Sequence, residues 1–273
     1  MTAARVTARY LSVLMVLVVV LFPMYWVLVN SFKTLPELTS LTPTFWPRTF
    51  TLESYERLFE QVPFVTYFWN STYVALCSTA ITLVLSSLAA YSVYRCRYRG
   101  REVLFRLFMS SYIFPRVLLL IPLYIAFARL HLIDTLNGLI IVNVTMIAPF
   151  SVWMLHAFFT GVPLELEDAA MVDGASRLQV LVKIFLPLSA QGLAALGLNA
   201  FLMTWTEYLF ALTFIISEAH KTLPVGMAQF LQEYNIDWGL LMSSSVIIAI
   251  PPSILFAIAG RWFIKGLTAG AIK

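Results

Sequence analysis

Residues 10–32 read YLSVLMVLVVVLFPMYWVLVNSF, 23 consecutive positions without Asp, Glu, Lys or Arg. A helix needs about 20 apolar residues to cross a hydrocarbon core about 30 Å thick, so this run can span a bilayer. Arg5 and Arg9 precede it, but it is far longer than the apolar stretch of a signal peptide, and no small-x-small cleavage pattern follows. The reading is an uncleaved first helix. Three more uncharged runs occupy 61–94, 135–164 and 238–260, of 34, 30 and 23 residues. Two further apolar stretches, 107–128 and 184–217, each carry one interior charge, Arg116 and Glu207.

The composition agrees with a chain dissolved in lipid. Of 273 residues, 60% are hydrophobic and 12% charged, and the mean hydropathy is +0.83. An ordinary soluble domain carries about 25% charged residues. The 21 Phe, 12 Tyr and 7 Trp exclude disorder. A net charge of +4 without a basic cluster on a soluble domain excludes nucleic acid as partner. Cys77 and Cys96 match neither a disulfide framework nor a metal spacing and read as inert thiols; His131, His156 and His220 are too scattered for a metal site. No Gly-x-x-x-x-Gly-Lys-Ser/Thr occurs, and nothing resembles a Ser/His/Asp or paired-carboxylate site. The chain is therefore read as no enzyme by itself, binding no cofactor. Its energy must come from ATPase partners or from an ion gradient.

The predicted fold is all-α: a polytopic membrane protein, one transmembrane domain over 1–273, with six helices. The spans fall at about 10–32, 67–94, 104–128, 138–160, 191–216 and 239–263. With the N-terminus inside, cytoplasmic segments hold 12 of the 18 Lys and Arg, outer segments five, and Arg116 lies within a span. That bias puts both termini in the cytoplasm. Residues 33–66 form an outer segment in which Thr51 can cap a short helix with Leu52, Tyr55, Phe59 and Val62 on one face. Residues 161–190 form the only long cytoplasmic loop, and 265–273 a cytoplasmic tail.

In that loop Pro163 suits a first helical turn. Glu165, Glu167 and Asp168 place negative charge at the favourable end of the helix dipole. Ala169, Ala170 and Met171 continue the helix, and Gly174 supplies its stop. Ser176 and Gln179 have capping-box spacing for a second helix carrying Val180, Ile184 and Phe185, with Pro187 where it bends or enters the membrane. The result is a helix, a glycine turn and a helix, with a small-residue face at Ala169 and Ala170. Such a knob suits a groove in a peripheral partner, although a loop resting on lipid headgroups has the same pattern.

The run Asp168-Ala169-Ala170, Gly174, then Ile184, Leu186 and Pro187 resembles the EAA loop of ABC importer permeases, with Asp168 where that family usually has Glu. Asn70-Ser71, Ala89-Ala90-Tyr91, Arg95, Trp205, Glu207 and Ala211 are similar to carbohydrate-type permeases. So are Thr222-Leu223-Pro224-Val225-Gly226, Asp237-Trp238-Gly239 and the C-terminal Gly266-Leu267-Thr268-Ala269-Gly270-Ala271-Ile272-Lys273. Thr206 and Ile272 depart from the pattern, where Asn and Val are common. The resemblance, to the smaller six-span permease of maltose-type systems, implies the type I importer permease fold in a bacterial or archaeal cytoplasmic membrane. It implies a coupling helix in which Glu167, Asp168, Ala169, Ala170, Met171, Asp173, Gly174, Ile184, Leu186 and Pro187 meet the ATPase, and a tail in which Gly266, Thr268 and Gly270 reach it too. The implied partners are a second permease subunit, two ATPase subunits holding ATP and Mg, and an extracytoplasmic sugar-binding protein or lipoprotein. The implied cargo is a sugar.

Arg116 and Glu207 each cost about 2.5–3.5 kcal/mol at a helix centre, so each should face protein or water. With Trp205, Thr206 and Tyr208 they are candidates for the translocation pathway, since aromatic faces stack on sugar rings. Packing contacts, snorkelling by Arg116 and interfacial anchoring by the aromatics are the structural alternatives. A gradient-driven secondary transporter, with Glu207 as its protonatable group, is the other functional reading.

Overall fold

The computed structural model describes the backbone of residues 3–96, 98–231 and 236–269, and the side chains of 9–96, 98–231 and 236–260. Among these the chain is helical, with one isolated β-bridge between Leu231 and Ile236 and no strand. It forms two compact units, Met1–Val65 with Gly226–Pro251, and Thr66–Val225 with Pro252–Lys273.

The first unit holds α1 (Ala3–Asn30), the single turn α2 (Leu35–Leu38), α3 (Glu53–Gln61) and the start of a long C-terminal helix. The α1 side chains from Tyr10 to Phe22 point outward, an arrangement that water would penalise and hydrocarbon does not. The segment after α2 folds back on it: the Glu37 carboxylate accepts from the Thr44 hydroxyl and the Arg48 N–H, and Phe32 stacks on Phe50 at 4.5 Å. The expected Thr51 cap is corrected: the N-cap of α3 is Leu52, which makes no side-chain cap, and the Thr51 hydroxyl, one position earlier, accepts the Glu53 N–H at 3.1 Å. The buried face of α3 differs from the expected one. Ser54 and Leu58 turn inward while Leu52 and Phe59 stay exposed. Arg57 pairs with Asp237, and the Ser243 hydroxyl donates to the Ser54 carbonyl at 3.3 Å; these contacts set the rotation of the helix.

The second unit begins with α4 (Phe64–Arg95), α5 (Arg101–Ile113), α6 (Arg116–Arg129) and α7 (Leu136–Phe159). Next come α8 (Leu164–Val172), α9 (Arg177–Val180), a π-helical turn (Leu181–Phe185) and α10 (Leu186–Leu188). The chain continues through α11 (Ala190–Trp205) and α12 (Leu209–Phe214) to α13 (Leu223–Ala228) and α14 (Trp238–Ala269). Arg9–Asn30, Phe64–Arg95, Leu136–Phe159 and Trp238–Gly260 are each long and apolar enough to cross a membrane. Two further helix pairs pass the same test only together and are bent at a short break, Arg101–Ile113 with Arg116–Arg129 at 105° and Arg177–Leu188 with Ala190–Trp205 at 83°, so the described residues hold four to six candidate spans.

Two expected spans are therefore corrected. The helix expected over 104–128 breaks at Phe114, which is extended (ψ 130°) because the following Pro115 excludes the α conformation. The helix expected over 191–216 stops at Trp205. There the Glu207 carboxylate accepts the N–H groups of Phe210 and Ala211 at 2.8 and 3.0 Å, starting α12 instead of continuing α11. Ahead of it, Pro187 cannot donate to the helix, and the preceding π turn absorbs the steric conflict between its ring and the turn before it.

One apolar cluster gathers Val74, Phe127, Leu139, Val142, Phe210 and Phe214. Beside it Asp134, at φ 58°, accepts from the Ile216 N–H, the Ser217 N–H and the Ser217 hydroxyl, and its own N–H donates to the Phe214 carbonyl at 2.8 Å. Burial pushes the Asp134 carboxyl up, but these hydrogen bonds and the nearby His220 together hold it below the usual carboxylate range. At the other end α11 meets α7 closely: a Cβ on Gly192 would lie 2.5 Å from the Phe158 ring.

Gly192→Ala should therefore cost about 1–3 kcal/mol through overpacking, read as a lower unfolding midpoint of the purified chain in detergent. Gly260→Ala, where an added Cβ meets nothing within 4 Å, is the control expected to hold its midpoint. Because the folded Asp134 carboxyl titrates below its unfolded value, its stabilisation is present above the unfolded value and lost as pH falls through the folded one. Asp134→Asn should lower the midpoint by about 2–4 °C at pH 7 and by progressively less in acid. A constant offset across pH would show that the charge has no part in holding this loop.

Candidate functional site

The 161–190 loop folds as its local signals require. Pro163 stands at the N-cap of α8, and the helix ends in a Schellman arrangement: the Ala175 N–H donates to the Ala170 carbonyl at 2.9 Å and the Gly174 N–H to Met171 at 3.1 Å. Gly174 takes φ 86°, which a side chain would strain. The capping box is present in both directions, Ser176 hydroxyl to Gln179 N–H and Gln179 side chain to Ser176 N–H.

What seats the loop is a buried carboxylate. Glu167 is 4% exposed, pairs with the Arg95 guanidinium and accepts the Tyr91 hydroxyl at 3.1 Å. Burying a carboxylate is tolerated only with such compensation. Asp168, by contrast, has a side chain 74% exposed and meets Arg95 only at 3.5 Å. Thus Asp168 faces outward, and its neighbour Glu167 holds the loop. Ala169 and Ala170 also part company. Ala169 is exposed, while Ala170 packs with Ile184 and Leu186 on an inner cluster. The expected small-residue face is therefore half turned inward, because Ala170 lies three positions from buried Glu167 on the same side of the helix.

Phe185 is the centre of that cluster. It is fully buried, with ring centroids 5.1 Å from Tyr91, 5.4 Å from Phe159 and 6.1 Å from Tyr94, so the ends of α4 and α7 close on the second half of the loop. Outward, α8 presents Leu164, Leu166, Met171 and Val172, the last 87% exposed. Asp173 caps the helix beside it in the open, and Pro187 is exposed. This is a rigid apolar knob with a carboxylate rim. Sequence reasoning missed the structural parts of Tyr91, Arg95 and Phe185. A tyrosine and an arginine four residues apart at the end of a span were the available signal.

The pathway candidates do not form one surface. Trp205 is buried, stacked on Phe201 at 5.4 Å and edge-on to Phe68 at 5.8 Å, which makes it a core residue. Thr206 donates to the Leu202 carbonyl at 2.8 Å, and Tyr208 is exposed. Arg116 begins α6 and borders a cavity of about 40 Å³ with Tyr112, Asn199 and Met203. The Glu207 carboxylate oxygens are engaged by the Phe210 and Ala211 N–H groups at the start of α12. Of the tail positions, Gly266 and Thr268 lie within the α14 backbone; their side chains and all of Gly270 lie outside the described residues.

Residues 82–269 match the family described as binding-protein-dependent transport system inner membrane component. The inner membrane ABC transporter permease protein YcjP of Escherichia coli is 38% identical over 266 residues, 97% of this chain and 95% of that one. The sulfoquinovosyl glycerol transport system permease protein SmoH of Agrobacterium fabrum is 37% identical over 265 residues, covering 97% and 93%. A crystal structure of a bacterial ABC transporter involved in import of the acidic polysaccharide alginate superposes with a TM-score of 0.82 over 96% of this chain and 99% of that one, at 21% identity, and shares its fold.

The two adjacent carboxylates give opposite expectations on mutation. Glu167→Ala leaves Arg95 without its buried partner and should cost about 3 kcal/mol. Asp168→Ala should stay within about 0.5 kcal/mol. Denaturation of the two purified variants ranks them; the reverse order would make Asp168 the anchor.

Proposed function

The chain belongs to the binding-protein-dependent transport system inner membrane components, and from that premise we propose how it takes up energy and what it carries. It is a multi-pass inner-membrane permease subunit of an ABC importer, without an ATPase site of its own. The α8 knob is its coupling helix, seated in a groove of an ATPase subunit. ATP and Mg are held by two such partners, and a second permease completes the pathway. Both termini face the cytoplasm, in line with the excess of Lys and Arg in the segments on that side.

One observation carries the coupling assignment. The exposed tip Val172–Gly174 is joined through Glu167 to Arg95 at the end of α4, and through Phe185 to the end of α7. A push on the knob is thereby delivered to two spans at once, because a packed core moves as a body. The break at Phe114–Pro115 leaves Arg116 beside a small cavity, which supports a place for it along the pathway, since irregular backbone within a span is tolerated where it lines a cavity. Glu207 serves here by capping α12. Its carboxylate, committed to two backbone N–H groups, is ill suited to carry a proton for a gradient-driven cycle.

The cargo is a saccharide or glycoside delivered by an extracytoplasmic binding protein. SmoH is named for a sulfoquinovosyl glycerol system and the alginate transporter imports an acidic polysaccharide. An Arg at membrane depth accords with an acidic sugar among the substrates.

The test is co-purification from native membranes with mass spectrometry. Wild-type chain should bring an ATPase and a second permease. Val172→Glu, which changes only an exposed tip, should keep the permease and lose most of the ATPase. An undiminished ATPase would remove α8 from the coupling role, and a chain that transports alone on an ion gradient would overturn the importer reading.

A further inference from the structure

A second polar site lies in the first unit, well apart in sequence from the loop and the broken spans. The end of α1, the segment after α2 and the first turns of α14 enclose a pocket of about 200 Å³. Trp26 and Trp238 contribute indoles to its lining, and Asn30, Lys33, Glu37 and Ser40 contribute polar groups. Two of these are unusual. Lys33 is 2% exposed, and Asn30 is 5% exposed.

The Lys33 ammonium has three N–H donors. One goes to the Thr44 carbonyl, and the group sits 4.9 Å from the centre of the Trp26 ring. The remaining donors have no acceptor among the described residues. The Asn30 amide, two donors and an acceptor, makes no hydrogen bond among them either. Its polar atoms face the pocket rather than the packed interior, so they are free to meet water or a ligand there. Burial holds the Lys33 ammonium below the ordinary lysine range, against the pull of Glu37, as a cramped and incompletely solvated cation requires.

The pocket carries one positive and one negative side chain, so it has no net demand for an ion. Glu37 is spent on Thr44 and Arg48. What is left is an amide and an ammonium offering hydrogen bonds beside two indole surfaces. Aromatic walls with a few convergent polar groups select a ring that is apolar on its face and hydroxylated at its edge. We propose that this pocket binds one neutral pyranose residue, a saccharide subsite on α1 and α14 separate from the Arg116 cavity. Its ligand chemistry rests on these residues alone; only its placement on the outer side rests on the orientation proposed above. A site there would hold a sugar unit where cargo first meets the permease.

The experiment uses the full chain in lipid nanodiscs and ligand-observed saturation-transfer NMR. The probes are methyl glucoside, methyl galactoside and N-acetylglucosamine, with inorganic phosphate and glycerol 3-phosphate as competitors. At least one sugar should bind saturably, about tenfold more weakly to Lys33→Met, as expected for one lost charge-assisted hydrogen bond, and equally to wild type and Gly260→Ala, a position in neither pocket. Trp238→Leu, half-exposed at the start of α14, gives a second reading if Lys33→Met does not fold. No saturable binding by any of the sugars, equal binding to the pocket variants, or a signal lost only in Arg116→Met would each overturn the proposal. Displacement by phosphate or glycerol 3-phosphate would do so too, by marking an anion or lipid-headgroup site. Loss of the ATPase partner in Val172→Glu is read separately, so failure of the coupling assignment leaves this result intact.

Discussion

A carboxylate, a guanidinium and a phenol meet where the 161–190 loop returns to the helices. Glu167 carries its charge out of water, and Arg95 and Tyr91 make that burial tolerable. Without them α8 would have no reason to hold one face toward α4, since its outward residues are as apolar as its inward ones. The ion pair thus decides which side of a nearly featureless helix is the inside. Everything the loop offers a partner follows from that choice, including the exposed Val172 and the outward Asp168.

The same loop is closed by local contacts at each of its turns. Its turn is closed by a Schellman arrangement, its second helix by a reciprocal capping box, and its far end by Phe185 wedged among Tyr91, Tyr94 and Phe159. Backbone donors and acceptors at these helix ends are satisfied within the loop, which leaves few soft degrees of freedom between knob and spans. The π turn before Pro187 departs from an ordinary helix, and the 83° bend lies just beyond it, at Ser189 between Leu188 and Ala190.

Breaks in the membrane helices have equally local causes. Pro115 forbids a helical Phe114, and the Glu207 side chain takes two backbone donors at the start of α12. The proline could be read as an irregularity from the chain alone. The glutamate could not, because a carboxylate in an apolar stretch looks the same whether it lines a pathway or caps a helix. Only the donors within 3 Å distinguish the two.

Runs without charge, read against the thickness of a bilayer, were enough to establish a helical membrane protein with several helices long and apolar enough to cross, and the short-range pattern marked out the 161–190 loop. The short-range signals at Pro163, Gly174, Ser176 and Gln179 were enough to set the loop's two helices. Both are local properties: hydropathy adds along a segment, and caps act within one turn. Which face of α8 turned inward, why Glu167 and not Asp168 is buried, and how α3 came to bury Ser54 and Leu58 were decided elsewhere. Those outcomes depend on Arg95, Tyr91, Asp237 and Ser243, residues some 70 to 190 positions away that share no pattern with the segments they orient. Periodicity gives a helix its faces, but a partner arriving through space chooses among them.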